Sequence, residues 1–371
     1  MANRKSSRRK FIYNLSLAAG GLTFMSPFAN CQTPNQNNKG KKLGVALVGL
    51  GSYSGGQLAP ALQQTKNCYL AGLVTGTPEK EKTWGEKYNI PAGNIYNYEN
   101  FDRIADNKDI DIIYVVLPVS MHKEFTIRAA KAGKHVICEK PMALNSTECH
   151  QMIDACKKEN RLLSIGYRLH FEPYTMEMMR LGQQKVYGKV NTIECGNAFT
   201  WGDNTTAWRL KKAMAGGGSL MDMGVYTIQG ARYTTGEEPV FVTAREEKLR
   251  PEIFKEVDET IFYDLEFPGG TIAHGVSSYN KNLNYLKAKA EKGWFELTEA
   301  YRYGGMVGAT SEGPMKFDAN VNQQALQMDD FANCVMNNKQ SRVPGEEGLK
   351  DLKVIEAIYR SVASGKKEAI S

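Results

Sequence analysis

The sequence predicts an α/β plus α+β chain: a Rossmann doubly wound parallel sheet, followed by a mostly antiparallel open-sheet domain. Three observations predict it. Residues 43–165 alternate short apolar runs with helical patterns, which is the rhythm of a parallel sheet with crossover helices. The first run ends in Gly49-Leu50-Gly51, ahead of a helical pattern. Beyond residue 167 the alternation gives way to strand patterns joined by short turns such as Pro268-Gly269-Gly270, which suggests antiparallel pairing. At 371 residues the chain also exceeds the roughly 250 to 300 residues that one core sustains.

In the first domain, 43–166, strands are expected at 43–49, 69–74, 110–117, 135–138 and 162–165. Helices are expected at 57–64, 79–88, 123–132 and 146–159. In the second, 167–371, a helix at 173–182, a strand at 189–197 and a glycine-opened helix at 218–234 precede strands at 240–247, 259–266, 270–279, 283–290 and 293–297. Helices at 323–337 and 346–364 close the chain, placed to pack back on the first domain. No internal repeat is visible.

Residues 1–31 read as an export leader: a basic start, an apolar run from 11 to 28, then small residues before Cys31. The run is broken by Asn14, Ser16 and Gly20-Gly21, so it makes a poor membrane span. Ser7-Arg8-Arg9-Lys10-Phe11-Ile12 matches the twin-arginine pattern, which predicts a periplasmic protein exported folded. A second reading makes Cys31 a lipid acceptor, with the polar linker 32–42 as tether. The remaining six cysteines show no metal-like spacing and no dense framework, so they read as buried free thiols, and no metal is expected.

The formal charge of +7 suggests an affinity for nucleic acid, but eight of the 47 basic residues lie in 1–42, which holds no acid. Removing them leaves 39 basic residues against 40 acidic ones, so the body is nearly neutral and nucleic acid is excluded as a partner.

Gly49 and Gly51, with Ser52 and Tyr53 after them, form a tight turn that lets the backbone approach a pyrophosphate; the third glycine of the usual pattern falls on Ser54. An enzyme for NAD normally ends its second strand in a carboxylate that takes the ribose 2′-hydroxyl. Here Thr75-Gly76-Thr77 stands there, with Lys80 a turn later, and hydroxyls and an ammonium receive a 2′-phosphate. NADP is therefore expected; Thr75 and Lys80 as ordinary loop residues would leave NAD.

At the carboxyl ends of the next strands stand Leu117-Pro118-Val119-Ser120-Met121-His122 and Cys138-Glu139-Lys140-Pro141, where ligands sit in open α/β sheets. Leu117, Pro118, His122, Glu139 and Lys140 are thus cofactor-site candidates. In the second domain, Gly216 to Tyr226 offers a glycine-rich entry, Ser219 as a helix cap, and Asp222 and Tyr226 four residues apart on one helical face. Oxidising an alcohol needs a base for the hydroxyl proton, and reducing a carbonyl returns it. A phenol of ordinary pKa, about 10, needs a neighbouring cation for that work at neutral pH, and Lys140 supplies one. Asp222 then orients substrate hydroxyls. The competing reading is a plain helix start with Tyr226 packed in the core.

The motifs Glu139-Lys140-Pro141, Gly166-Tyr167-Arg168-Leu169-His170-Phe171-Glu172-Pro173, Trp208-Arg209 and Gly216 to Tyr226 resemble the Gfo/Idh/MocA oxidoreductases, in particular their glucose-fructose oxidoreductase branch. The likeness runs from about 43 to 364. It implies that Lys140, Asp222 and Tyr226 are catalytic, that Thr75 and Lys80 meet the NADP 2′-phosphate, and that Arg168, Trp208 and Arg209 line the cleft, with Tyr279 among the substrate contacts and Arg168 also at the cofactor. Many relatives carry histidine at the place of Tyr226; tyrosine marks the glucose-fructose branch. That branch retains its NADP, so one sugar reduces it and another reoxidises it in ping-pong turnover: an aldose becomes its lactone and a second sugar its alcohol. The short 32–42 departs from the branch's longer N-terminal arm, so an arm-swapped tetramer is not implied; a homodimer or homotetramer through the open sheet face is expected. Two rivals remain: a redox-neutral glycoside hydrolase of the same superfamily, and a non-catalytic NADP- or sugar-binding protein.

Overall fold

The computed structural model describes Gly40 and residues 42–371 apart from residue 319. The leader, Cys31 and almost all of the linker lie outside the described residues.

Six strands, β1 (Leu43–Val48), β2 (Cys68–Val74), β3 (Ile95–Tyr96), β4 (Ile112–Val115), β5 (His135–Cys138) and β6 (Leu163–Ile165), form one sheet in the order β3-β2-β1-β4-β5-β6. Every pairing is parallel. All six residues of β1 are buried, as an unbroken apolar run requires when helices cover both faces. The strand order turns between β1 and β4, so the crevice for a ligand opens above their carboxyl ends.

Helices α1 (Ala59–Leu62), α2 (Pro78–Tyr88), α3 (Val119–Lys131) and α4 (Ser146–Lys158) complete this domain. Three local features depart from the sequence pattern. β3 is only two residues long, too short to give a period. The helix expected at 57–64 starts as a π-turn, Ser54–Leu58. α3 begins at Val119, directly after Pro118, so Ser120 to His122 form its first turn rather than a loop.

The second domain holds α5 (Pro173–Gln183) and a nine-stranded sheet. Its strands are β7 (Val190–Ala198), β8 (Phe241–Glu247), β9 (Thr260–Glu266), β10 (Ile272–Ser278), β11 (Leu283–Ala290), β12 (Gly293–Thr298), β13 (Val307–Thr310), β14 (Gly313–Pro314) and β15 (Glu368–Ala369). The order is β14-β13-β12-β11-β7-β10-β9-β8-β15, with β7–β10 the one parallel pair. β13, β14 and the C-terminal β15 escaped the sequence pattern because two to four residues at a sheet edge carry little alternation.

The short α6 (Lys212–Ala215) and the helix α7 (Val225–Thr235) follow β7. The helix expected at 218–234 is composite: a π-turn, Leu220–Gly224, runs into α7. Ser219 does not cap it, since its hydroxyl donates to Asp258 Oδ2 instead. α7 is buried on all sides from Val225 to Thr234, which explains why it shows no amphipathic stripe.

The last helices are α8 (Gln323–Met336) and α9 (Gly345–Ser364). α8 returns to the first domain: Met328, Phe331 and Ala332 join the core of Leu47, Leu58 and Leu73, and Asp329 accepts from the backbone N–H of Lys66 and Asn67 at 2.9 and 2.7 Å. α9 spans the two domains, with Glu356 accepting from Ser146 at the start of α4. The six cysteines among the described residues are free and buried, and no described helix is long and apolar enough to cross a membrane.

Candidate active site

One cavity of about 1220 Å³ lies between the carboxyl ends of the parallel strands and the 220–226 segment. Every residue singled out from the sequence lines it, from Gly49 and Gly51 through Lys140 and Arg168 to Asp222, Tyr226 and Tyr279.

At the nucleotide end, Gly49 has φ +94°, a conformation that side chains with a Cβ rarely adopt. A Cβ added at Gly51 would meet nothing within 4 Å, so this face of the turn is free to approach a ligand closely. Ser54, in the place of the third glycine, is buried and donates to the Gly49 carbonyl at 2.5 Å, which braces the turn from within. Thr75 is buried just past β2, and Thr77 and Lys80 complete that wall. The Lys80 ammonium donates to the Leu50 carbonyl at 2.9 Å, tying α2 to the glycine turn. The acids that line the cavity are Glu139, Asp222 and Glu299, none of them next to Thr75 in the chain. This donor set fits a dinucleotide: glycine turn for pyrophosphate, hydroxyls and ammonium for the adenosine ribose.

His122 and Glu139 line the cavity but spend their polar atoms on the protein. His122 Nε2 faces the Leu117 carbonyl at 2.8 Å, and Nδ1 faces those of Pro141 and Met142 at 3.1 and 3.3 Å. Burial holds its pKa below the ordinary histidine value, and the ring lies between the two strand-end loops. Glu139 accepts from Tyr114 Oη at 2.7 Å and from the Lys140 N–H at 3.2 Å, and burial raises its pKa. These two residues shape the site rather than present free groups to a cofactor.

Lys140 reaches across the cavity floor. Its Nζ donates to the Asp222 carbonyl at 2.7 Å and to Asp222 Oδ1 at 3.3 Å, and lies 4.6 Å from the centroid of the Tyr226 ring. Burial opposes its charge, yet Tyr226, Asp222 and Glu139 hold its pKa above the ordinary lysine value. Asp222 is the mirror case: burial would raise its pKa, but Lys140, Arg209 and the Tyr279 hydroxyl lower it. Both groups therefore stay ionised through neutral pH.

The carboxylate of Asp222 has further partners: Tyr279 donates to Oδ2 at 3.0 Å and Arg209 Nε lies 3.3 Å from the same oxygen. Asp222, which lines the cavity, gathers Lys140, Tyr279 and Arg209 around itself. Tyr226 is 8% exposed, with its ring between Lys140 and the Arg168 guanidinium, 5.2 Å away. Those distances lie within cation–π range, about 6 Å. Because Asp222 sits in the π-turn and Tyr226 in α7, ideal α-helical spacing does not describe their relation; the cavity brings them together all the same.

Arg168 is 2% exposed and donates to the carbonyls of Tyr301 and Arg302 and to Gln323. Trp208 and Arg209 stack, guanidinium to ring centroid 4.5 Å, on the second-domain side. Sequence reasoning missed Tyr303, which covers Arg168 at 4.4 Å and stacks on Tyr53 at 6.0 Å, joining the two domains. It also missed Asn197 and Trp201 in the wall. Tyr301-Arg302-Tyr303-Gly304-Gly305 was the available signal, an aromatic and cationic cluster before a glycine pair.

Residues 43–167 match the NAD-binding Rossmann-fold domain of the oxidoreductase family, and residues 175–298 match the GFO/IDH/MocA C-terminal domain. An aldose-aldose oxidoreductase from Caulobacter crescentus, solved with glycerol, is 45% identical with a TM-score of 0.86, over 89% of this chain and 100% of that one. The D-xylose 1-dehydrogenase [NADP(+)] of Haloarcula marismortui is 25% identical over 85% of this chain and 90% of its own. A levoglucosan dehydrogenase solved with NADH and levoglucosan shares the fold, with a TM-score of 0.78 at 20% identity over 89% of this chain and 100% of that one. The chain is an enzyme of the GFO/IDH/MocA oxidoreductase family.

Proposed function

We propose that this enzyme is an NADP-dependent sugar oxidoreductase of the glucose-fructose type, oxidising an aldose to its lactone and reducing a second sugar by ping-pong turnover on retained NADP. The observation that carries it is the meeting of Lys140 from the first domain with Asp222 and Tyr226 from the second in one cavity. Relatives named for aldoses, one of them named with NADP(+), support the substrate and cofactor classes.

Gly49, Gly51, Ser52 and Tyr53 would hold the pyrophosphate region, Thr75 and Lys80 the 2′-phosphate, and Arg168 with the Leu117-Pro118 turn the nicotinamide side. The bound cofactor supplies a hydride acceptor, and once reduced a hydride donor. Tyr226 takes the hydroxyl proton of the aldose as its C–H bond breaks, and in the second half-reaction returns a proton to the carbonyl oxygen of the acceptor sugar. The Lys140 ammonium stands beside the phenol ring, and Asp222 fixes Lys140 there. Trp208, Arg209 and Tyr279 border the sugar.

The leader reading places the enzyme in the periplasm after twin-arginine export, anchored there by lipid if Cys31 is acylated. With no exchanging dinucleotide pool, a closed cycle between two sugars keeps the cofactor turning. Homodimer or homotetramer assembly through the open sheet face is supported by Phe241, Ile272 and Trp294, exposed residues on strands whose pairing register puts them in one row.

Purified protein, passed through gel filtration, should carry NADP whose near-ultraviolet absorbance rises on adding glucose or xylose and falls on adding a second sugar. Absorbance that never changes with any aldose would defeat the activity, and cofactor stripped by the column would defeat retention alone.

A further inference from the structure

The catalytic segment is anchored by a carboxylate that the mechanism has not used. Asp258, 5% exposed and two residues before β9, accepts four hydrogen bonds. Oδ1 takes the Gly218 N–H and the Tyr359 hydroxyl, each at 2.7 Å; Oδ2 takes the Leu220 N–H at 2.8 Å and the Ser219 hydroxyl at 3.0 Å. The first N–H groups of a helix have no partners within it, and a carboxylate there is favoured by the helix dipole. Ser219 would have been the local choice, but Asp258 takes both the N–H groups and the serine.

We infer that Asp258, buttressed by Tyr359, is a positioning residue for the hydride-transfer chemistry, acting through the π-turn that carries Asp222. This rests on the reading of function above. Leu220 and Asp222 belong to the same five-residue turn. Asp258 holds the turn at its start; Lys140 meets it at the Asp222 carbonyl and carboxylate. A shift at the start of the turn carries both acceptors of Lys140 with it, and Tyr226 lies just beyond.

The space around the anchor is equally specific. A Cβ at Gly217 would overlap the Tyr359 hydroxyl, and one at Gly218 would overlap the Asp258 carbonyl oxygen, so the glycine run exists for this contact. Tyr359 lies on α9 one turn beyond Glu356, which binds the start of α4. One helix therefore fixes the catalytic turn relative to the domain that supplies Lys140. The nucleotide residues Gly49 to Lys80 make no contact with Asp258 in this arrangement of hydrogen bonds.

The test uses full-length holoenzyme carrying Asp258→Asn or Tyr359→Phe. The amide keeps the shape but turns one acceptor oxygen into a donor facing donors. Displacements of about 1 Å at a reacting centre cost on the order of 10²-fold. For Asp258→Asn, reduction of bound cofactor by saturating aldose should slow by roughly 10- to 10²-fold, with cofactor content unchanged, the half-saturating sugar concentration little changed, and a shifted pH–rate profile. Tyr359→Phe should move the same quantities in the same direction by a few-fold, and it decides the matter if the first variant does not fold. Two folded variants, or Tyr359→Phe alone, with wild-type rate and wild-type pH profile would overturn the inference even if heat stability fell. Wild-type cofactor that no aldose reduces overturns the reading of function and this inference with it, a result distinguishable from undiminished variants of an active parent.

Discussion

Two glycine-rich turns line the cavity, and glycine serves opposite purposes in them. Gly51 has open space where its side chain would be, whereas Gly217 and Gly218 have the Tyr359 hydroxyl and the Asp258 carbonyl there. At Gly51 the first turn keeps room for a ligand, although its Gly49 is packed against the Val116 carbonyl; at Gly217 and Gly218 the second keeps room for its own neighbours. From sequence the two look alike, since both are glycines ahead of a helix. The difference is that a substitution at Gly51 should be felt by binding, and at Gly217 or Gly218 by folding and by the chemistry of the attached segment.

The largest expected effect separates chemistry from cofactor holding. Tyr226→Phe should slow both half-reactions by about 10²-fold or more, the usual worth of a general acid/base, while the protein still purifies with its cofactor. Stopped-flow absorbance of each half-reaction measures this. Turnover near that of the parent would remove Tyr226 from proton transfer and leave it as a packing residue.

Next in size is Gly218→Ala, which forces a methyl onto the Asp258 backbone. Overpacking of this kind costs about 1–3 kcal/mol, read as a lower midpoint in urea denaturation. Gly51→Ala is the counterpart on the other turn: stability within about 0.5 kcal/mol of the parent, since nothing in the protein is touched. Its cost should appear as a nucleotide dissociation constant raised about tenfold, or 1.4 kcal/mol. If both alanine variants lost stability equally, the contrast between the turns would be void.

The parallel sheet and the place of the cavity were legible because apolar runs mark the strands plainly, and Gly49, Leu117, Glu139 and Lys140 follow their ends; Asp222 and Tyr226 were legible only through the glycine-rich motif that precedes α7. What stayed hidden depends on contacts far apart in sequence. Asp258 lies 40 residues from Gly218, and Tyr303 meets Arg168 within the second domain and Tyr53 across the two domains. The Ser219 cap was a sound local reading that lost to a buried carboxylate with two oxygens to offer. For Asp222, spacing shows only the face it shares with Tyr226. Its three cationic and hydroxyl partners come from three other segments.

The smallest effect tests whether Lys80 chooses the cofactor or only shapes the turn. Its ammonium is half-buried and already donates to the Leu50 carbonyl, so a 2′-phosphate shares it rather than claims it whole. Partly exposed ion pairs contribute about 0–1 kcal/mol, so Lys80→Met should weaken NADP binding by only about fivefold and leave NAD binding unchanged. The gap between the two should narrow as salt is raised, because the pair is screened within about 10 Å at 0.1 M. Fluorescence titration of cofactor-free enzyme with each dinucleotide distinguishes the roles. A selective loss for NADP assigns Lys80 to the phosphate, whereas an equal loss for both cofactors assigns it to holding the Leu50 carbonyl, and any preference for NADP would then have to come from Thr75 and Thr77.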